Sequence, residues 1–292
     1  MKKTLSELTI KDNFVFGAVM CEEDNCRKFL EMVLKVPIER VEVDKERSIV
    51  YHPEYKGVRL DVYAKDENKT HYNVEMQSIK RDELTKRARY YHSQIDMELL
   101  RSGAEYSKLP NAYVIFICDF DPFGMGKYCY TFENVCLEEK NFILNDGART
   151  IFLNTRGMNS KEISPQMVAF LDFVKADLEE STKDFQDEFV RQLQECVQKV
   201  KLSRKMEENF MILREMLRDE RAEGKAEGRA EGRVEGRAEG RAESVIELLQ
   251  EIGSVSDELR EKIINETDLS VLLNWLKLAA KAESIGQFEE NM

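Results

Sequence analysis

The chain predicts an α/β fold, a mixed sheet with helices packed on it, followed by an all-α C-terminal region. Three observations predict it. Up to about residue 155, segments with helical apolar spacing alternate with short runs of period two or of continuous β-branched and aromatic residues. Beyond Arg156 the short runs give way to long amphipathic stretches, and from Arg221 a four-residue repeat sets in. At 292 residues the chain is long enough to bury a substantial core without staples.

The elements follow in order. The segment DNCRKFLEMVLK spaces Phe29, Leu30, Val33 and Leu34 as a helix does, with Pro37 as its stop. RVEVDKE then alternates Val41 and Val43 with charge, which reads as a strand. Two more strands follow in VRLDVYAKDENKTHYNVEMQS. Val58, Leu60, Val62 and Ala64 share one side, as do Tyr72, Val74 and Met76, and the polar KDENKT between them makes a hairpin the economical connection. From Glu83 to Ser102 the period turns helical, with Leu84, Ala88, Tyr91, Ile95 and Leu99 on one stripe and Gly103 as a stop signal. NAYVIFICDF reads as a buried strand, and KYCYTFENVC and RTIFLN as further strands. Ser164 and Pro165 open a helix as cap and first residue. A single charged amphipathic helix is expected to follow, which divides the chain into a core over 1–175, this helix over 176–220, the repeat over 221–243 and a small helical module over 244–292.

Composition narrows the function classes. The formal charge of -12 argues against a general polyanion coat. Residues 1–110 nevertheless hold about 20 Lys/Arg against about 20 Asp/Glu, so this part can still present a basic cleft. The six cysteines form no C-x-x-C pair and read as reduced thiols. With no apolar leader or membrane-length run, the expectation is a cytoplasmic protein with no membrane partner.

The repeat RAEGKAEGRAEGRVEGRAEGRAES drifts by about 40° per unit on a helix, so its Ala and Gly positions form spiralling ridges. Glu223 faces Glu227 and Lys225 faces Arg229 at i,i+4, an unfavourable arrangement. Five glycines from Gly224 to Gly240 each cost a helix roughly 0.8 to 1 kcal/mol relative to alanine. Such a segment reads either as an oligomerisation or spacer element, whose small ridges permit close approach, or as a flexible or fraying linker; a homo-oligomer through the C-terminal helical region is the expectation. In the tail, Trp275 with Leu272, Leu273, Leu276 and Leu278 reads as core or partner interface, not as a cofactor site.

The hairpin carries the candidate chemistry. Asp61 lies opposite Leu60 and Val62, and Glu75 lies opposite Val74 and Met76, so both carboxylates project from one side of neighbouring strands. Their numbering allows directly opposed positions, with Cβ atoms about 5 Å apart. Two like charges so placed repel unless a hard divalent cation sits between them. A solvated hairpin with ordinary surface acids accounts for the same pattern.

RLDVYA followed by YNVEMQS resembles the PD-(D/E)xK nuclease core. The chain as a whole resembles the Rpn-type recombination-promoting nucleases, a group also labelled transposases. KDNFVFGAVM, KRARYYHSQIDMELLRSGAEYSKLPNAYVIFICDFDPFG, YTFENVCLE and LNDGARTIFLNTRG support the likeness over most of residues 5–175. The resemblance implies a restriction-endonuclease-like fold and a DNA endonuclease using Mg²⁺ or Mn²⁺, acting in DNA recombination or in defence against foreign DNA. It makes Asp61 and Glu75 catalytic metal ligands, adds the Met76 backbone carbonyl to the metal, and matches Asp12 to an acid of the family's first helix, where a helix cap is the equal alternative. Gln77 stands where the general motif has lysine, offering a neutral amide in place of a cation. Arg87, Tyr90, Gln94 and Arg101 share a helix flank that could face a phosphate backbone, or water.

Other motifs are weaker. DPFGMGK ends like a phosphate loop but lacks its first glycine and its Ser/Thr. His52, His71 and His92 show no metal-ligand spacing, although His71 lies on the face of Glu75. The leading reading is a metal-dependent endonuclease. Its rivals are a catalytically silent nuclease fold that binds DNA or regulates, and a purely structural assembly protein.

Overall fold

The computed structural model describes residues 3–49 and 58–292; His52 and the side chains of Glu223 and Glu227 lie outside the described set. The chain divides into two compact units, Met1–Phe210 and Met211–Met292.

The first unit is built on a mixed sheet with strand order β1-β2-β3-β4-β6-β5. The strands are β1 (Val41–Ile49), β2 (Val58–Asp66), β3 (His71–Gln77), β4 (Ala112–Cys118), β5 (Cys129–Phe132) and β6 (Ala148–Asn154). The first three form an antiparallel meander. Strand β4 lies parallel to both β3 and β6, while β5 runs antiparallel to β6 at the edge. The expected α/β class, with helices on a mixed sheet and an all-α continuation, is the one observed. In β4 the apolar run AYVIFIC is buried almost throughout, as a parallel strand covered on both faces requires.

Helices cover both faces. On one side, α1 (Asn13–Met20) packs with β1 and β2, and α2 (Glu23–Leu34) with β1. The Asp12 side chain starts α1 by accepting the Phe14 N–H at 3.1 Å. On the other side, α3 (Leu84–Leu99) is the crossover that lets β3 and β4 run parallel. Its stripe Leu84, Ala88, Tyr91 and Ile95 packs on Tyr63, Val114, Phe116 and Phe152. This helix ends at Leu99, short of the expected Ser102, because Leu100 takes an extended conformation; Gly103 then occupies the left-handed region at φ 81° in the following turn. Helix α4 (Pro165–Lys175) is capped as expected, the Ser164 hydroxyl accepting the Met167 N–H at 3.2 Å.

The charged segment after α4 is two helices where one was expected. Helix α5 (Glu188–Leu202) stops at Ser203, whose backbone is extended, and α6 (Arg204–Ile252) starts there as the Ser203 hydroxyl takes the Met206 N–H at 3.3 Å. The whole four-residue repeat lies inside α6. In the second unit the end of α6 packs with α7 (Asp257–Ile264), α8 (Leu269–Ala279) and α9 (Ile285–Asn291). Ala238 and Ala242, the last alanines of the repeat, join Val245, Leu249, Trp275 and Phe288 in that core. Trp275 is thus a core residue. Among the described residues, no helix is long and apolar enough to cross a membrane.

Candidate active site

Alternation along β3 puts His71, Asn73, Glu75 and Gln77 on one face, and all four are buried. A solvated hairpin is therefore not what the chain builds. The paired register runs from Lys65 opposite His71 to Val62 opposite Val74, so Asp61 and Glu75 follow as the next positions along the two strands. There the carboxylates take backbone donors. The Asp61 N–H donates to Glu75 Oε1 at 3.3 Å, and the Met76 N–H donates to Asp61 Oδ2 at 3.2 Å.

Glu75 is only 2% exposed. Burial, and next the charge of Asp61, push its carboxyl up to about 8 from the ordinary value near 4.5. The Asp61 N–H offsets part of that cost, and the Asn73 carboxamide, fully buried on the same face, a smaller part. Partial relief comes from Arg87, one turn into α3, whose Nη2 lies 3.4 Å from Glu75 Oε2. The same guanidinium donates to Gln77 Oε1 at 3.1 Å and to the Tyr91 hydroxyl at 2.6 Å. Since arginine has only donors, the Gln77 amide must turn its oxygen toward Arg87, which leaves its NH₂ as the group available to anything else.

These side chains line an open cleft of about 780 Å³, whose walls include Asp61, Glu75, Gln77, Arg87 and Tyr90. Arg81, Lys86 and Arg89 add positive charge, and none of them makes an ion pair among the described residues. In a chain of net charge -12, the cleft wall thus sets four cations, Arg81, Lys86, Arg87 and Arg89, against the carboxylates of Asp61, Glu75 and Glu83.

The other candidates fall elsewhere. Asp12 caps α1, and among the described residues no group of three or more His, Cys, Asp or Glu side chains comes together that could hold a metal. Its neighbour Asn13 does reach the site, donating to Asp61 Oδ2 at 3.2 Å. Gln94 is buried and Arg101 lies beyond the end of α3; neither lines the cleft. Tyr91 belongs to the apolar stripe of α3, yet its hydroxyl holds Arg87. His71 is buried, with Tyr63 Oη 2.6 Å from its Nδ1, and is not in the cleft wall. In DPFGMGK the Asp121 carboxylate takes the N–H groups of Phe123, Gly124 and Gly126, the donors a phosphate would need.

Asn13, Tyr91, Arg81, Lys86 and Arg89 are the site residues that the sequence reading missed. The available signal was positional: Lys86, Arg89 and Tyr90 recur at helical spacing on the flank that also carries Arg87.

No curated protein and no solved structure matches the chain. The family model described as PD-(D/E)XK nuclease family transposase matches residues 11–226, which takes in the whole sheet, both clustered acids and Arg87, and the chain belongs to that family.

Proposed function

We propose that the first unit is a Mg²⁺- or Mn²⁺-dependent DNA endonuclease that hydrolyses phosphodiester bonds, in recombination or in defence against foreign DNA. One observation carries this reading: Asp61 and a buried Glu75 share a cleft with Arg87, which bridges Glu75 and Gln77. The donor set fits a hard divalent cation, which usually takes one or two carboxylates and leaves its remaining positions to water and phosphate. Asp61, Glu75 and the Met76 carbonyl would hold it. When bound, the cation supplies Lewis acidity, polarising a phosphoryl oxygen and offsetting charge on the leaving group.

The chain's own groups do the rest. Asp61, and Glu75 once it has given up its proton to the cation, give the site its negative pole. Gln77, held by Arg87 with its NH₂ outward, presents donors alone, as the motif lysine would, and orients the attacking water. Arg87 restores the positive charge that glutamine lacks and faces the charge that grows on the phosphoryl oxygens. Arg81, Lys86 and Arg89 hold the flanking backbone of the nucleic acid. The C-terminal helices carry self-association through the Ala and Gly ridges of α6, so deleting 221–243 is expected to lower the solution mass.

The replacement of lysine by Gln77 favours a second reading, a silent nuclease fold that binds DNA without cutting it. Plasmid cleavage with Mg²⁺ or Mn²⁺ separates the two. Wild type is expected to cut, and Asp61→Ala and Glu75→Ala are expected not to. Cleavage persisting in both variants would remove these residues from the chemistry, while salt-sensitive binding by a wild type that never cuts would establish the silent fold.

A further inference from the structure

A second hollow, of about 460 Å³, lies along α3 between that helix and the β5–β6 edge of the sheet. Thr85, Ala88, His92 and Asp96 line it from one helical stripe, while Phe132, Thr150 and Phe152 line it from the sheet. Arg89 and Ser93 line both this hollow and the carboxylate cleft, so one exposed ridge of α3 joins the two.

Its chemistry is unlike that of the cleft. Phe132 is 45% exposed and its ring stands edge-on to Phe152, their centroids 5.7 Å apart, which leaves an aromatic surface open to a ligand. His92 is engaged with the sheet, its Nε2 3.1 Å from Thr150 Oγ1. Of the two carboxylates in the wall, Glu133 is taken by Arg149. Asp96 has no cation or hydrogen-bond donor on its carboxylate among the described residues, although it is half-buried. The hollow therefore offers an aromatic platform, an acceptor with two oxygens and, on the ridge, an Arg89 without an ion pair.

We infer that this hollow takes an unpaired nucleobase of the strand lying in the carboxylate cleft, stacked on Phe132 and donating its N–H edge to Asp96, with Arg89 on the intervening phosphate. The inference rests on the nuclease reading above. A helix is about 10 Å across, so a strand that crosses the ridge needs no more than about three nucleotides between cleft and hollow, even at the duplex rise of about 3.4 Å each. A base within a duplex has no free face to stack, which requires this one to be single-stranded, frayed or extruded. Guanine suits the acceptor best, because its ring N–H and exocyclic NH₂ lie side by side and meet both carboxylate oxygens. Thymine has a single N–H.

The test is binding by the full-length protein, in chelator so that nothing is cut, of labelled thymidylate oligomers with and without one guanine. Wild type is expected to bind the guanine oligomer about tenfold more tightly, near the lower end of what one bidentate base contact discriminates. Asp96→Asn is expected to abolish the preference without weakening thymidylate binding, and Phe132→Ala to weaken both, with circular dichroism confirming each fold. Equal wild-type affinity for the two oligomers, or a preference that survives Asp96→Asn, overturns the inference. Plasmid cleavage by wild type is read separately: cutting with no base preference sinks the hollow and spares the nuclease, whereas neither binding nor cutting sinks both.

Discussion

Arg87 touches Glu75, Gln77 and Tyr91 at once, and this makes the missing lysine testable by exchange. Arg87→Ala should lower cleavage by about 10² to 10³, the usual cost of one donor aimed at developing charge. Gln77→Lys alone should not help, because the new ammonium would meet the Arg87 guanidinium; Gln77→Lys with Arg87→Gln should recover activity over Arg87→Ala in a plasmid assay. Glu75 gives a pH prediction. Its folded carboxyl sits at about 8, above its unfolded value near 4.5. Between those values the folded chain holds a proton that the unfolded chain has released, so stability is full below about 4.5 and falls as pH rises through 8. Glu75→Gln removes that loss. Melting in chelator should show the variant level with wild type at pH 4 and several degrees above it at pH 9; a constant offset would contradict the assignment. Asp61 and Glu75 were legible in the sequence because a hairpin is local and period two fixes which side chains share a face. Asn13, which reaches Asp61 from 48 positions away, was not.

Among the elements, those with strong local signals formed where the sequence put them, including β4, with its apolar run, and α4, with Ser164 before Pro165. Differences arose at ends and joints. Helix α3 lost its last turn at Leu100, which took Arg101 off the flank, and Ser203 split a charged run whose amphipathic period continues on either side. Neither event changes the apolar period, which is why the pattern did not show them. The repeat is the clearest case of context prevailing over propensity: α6 runs helical through five glycines, anchored beyond them by Ala242, Val245 and Leu249. A Cβ built on Gly224, Gly228, Gly232, Gly236 or Gly240 meets nothing within 4 Å. Gly236→Ala should then stabilise α6 by about 0.8 to 1 kcal/mol and slow local amide exchange by roughly fivefold. Unchanged or faster exchange at that turn would mean that the glycine is needed for an approach by another chain.

For the whole molecule, the division at Phe210 separates the candidate chemistry from the C-terminal helical core. Each unit has its own buried centre, Phe116 and Phe152 under α3 in one and Leu249, Trp275 and Phe288 in the other. Calorimetry should accordingly resolve two transitions. A ligand stabilises only the unit that binds it, by about 2.7 kcal/mol at a hundred times its Kd. For a unit of 210 residues that raises the midpoint by roughly 5 to 10 °C. Adding Mg²⁺ should therefore move the transition of Met1–Phe210 and leave that of Met211–Met292 in place. The shift should grow with pH up to about 8, because the proton on Glu75 must leave before the carboxylate can take the cation. Glu75→Gln should lose the shift while keeping both transitions, which separates loss of the cation from loss of the fold. Equal movement of both transitions would mean that the cation acts on the assembly as a whole, and the acids of the first unit would then not be its site.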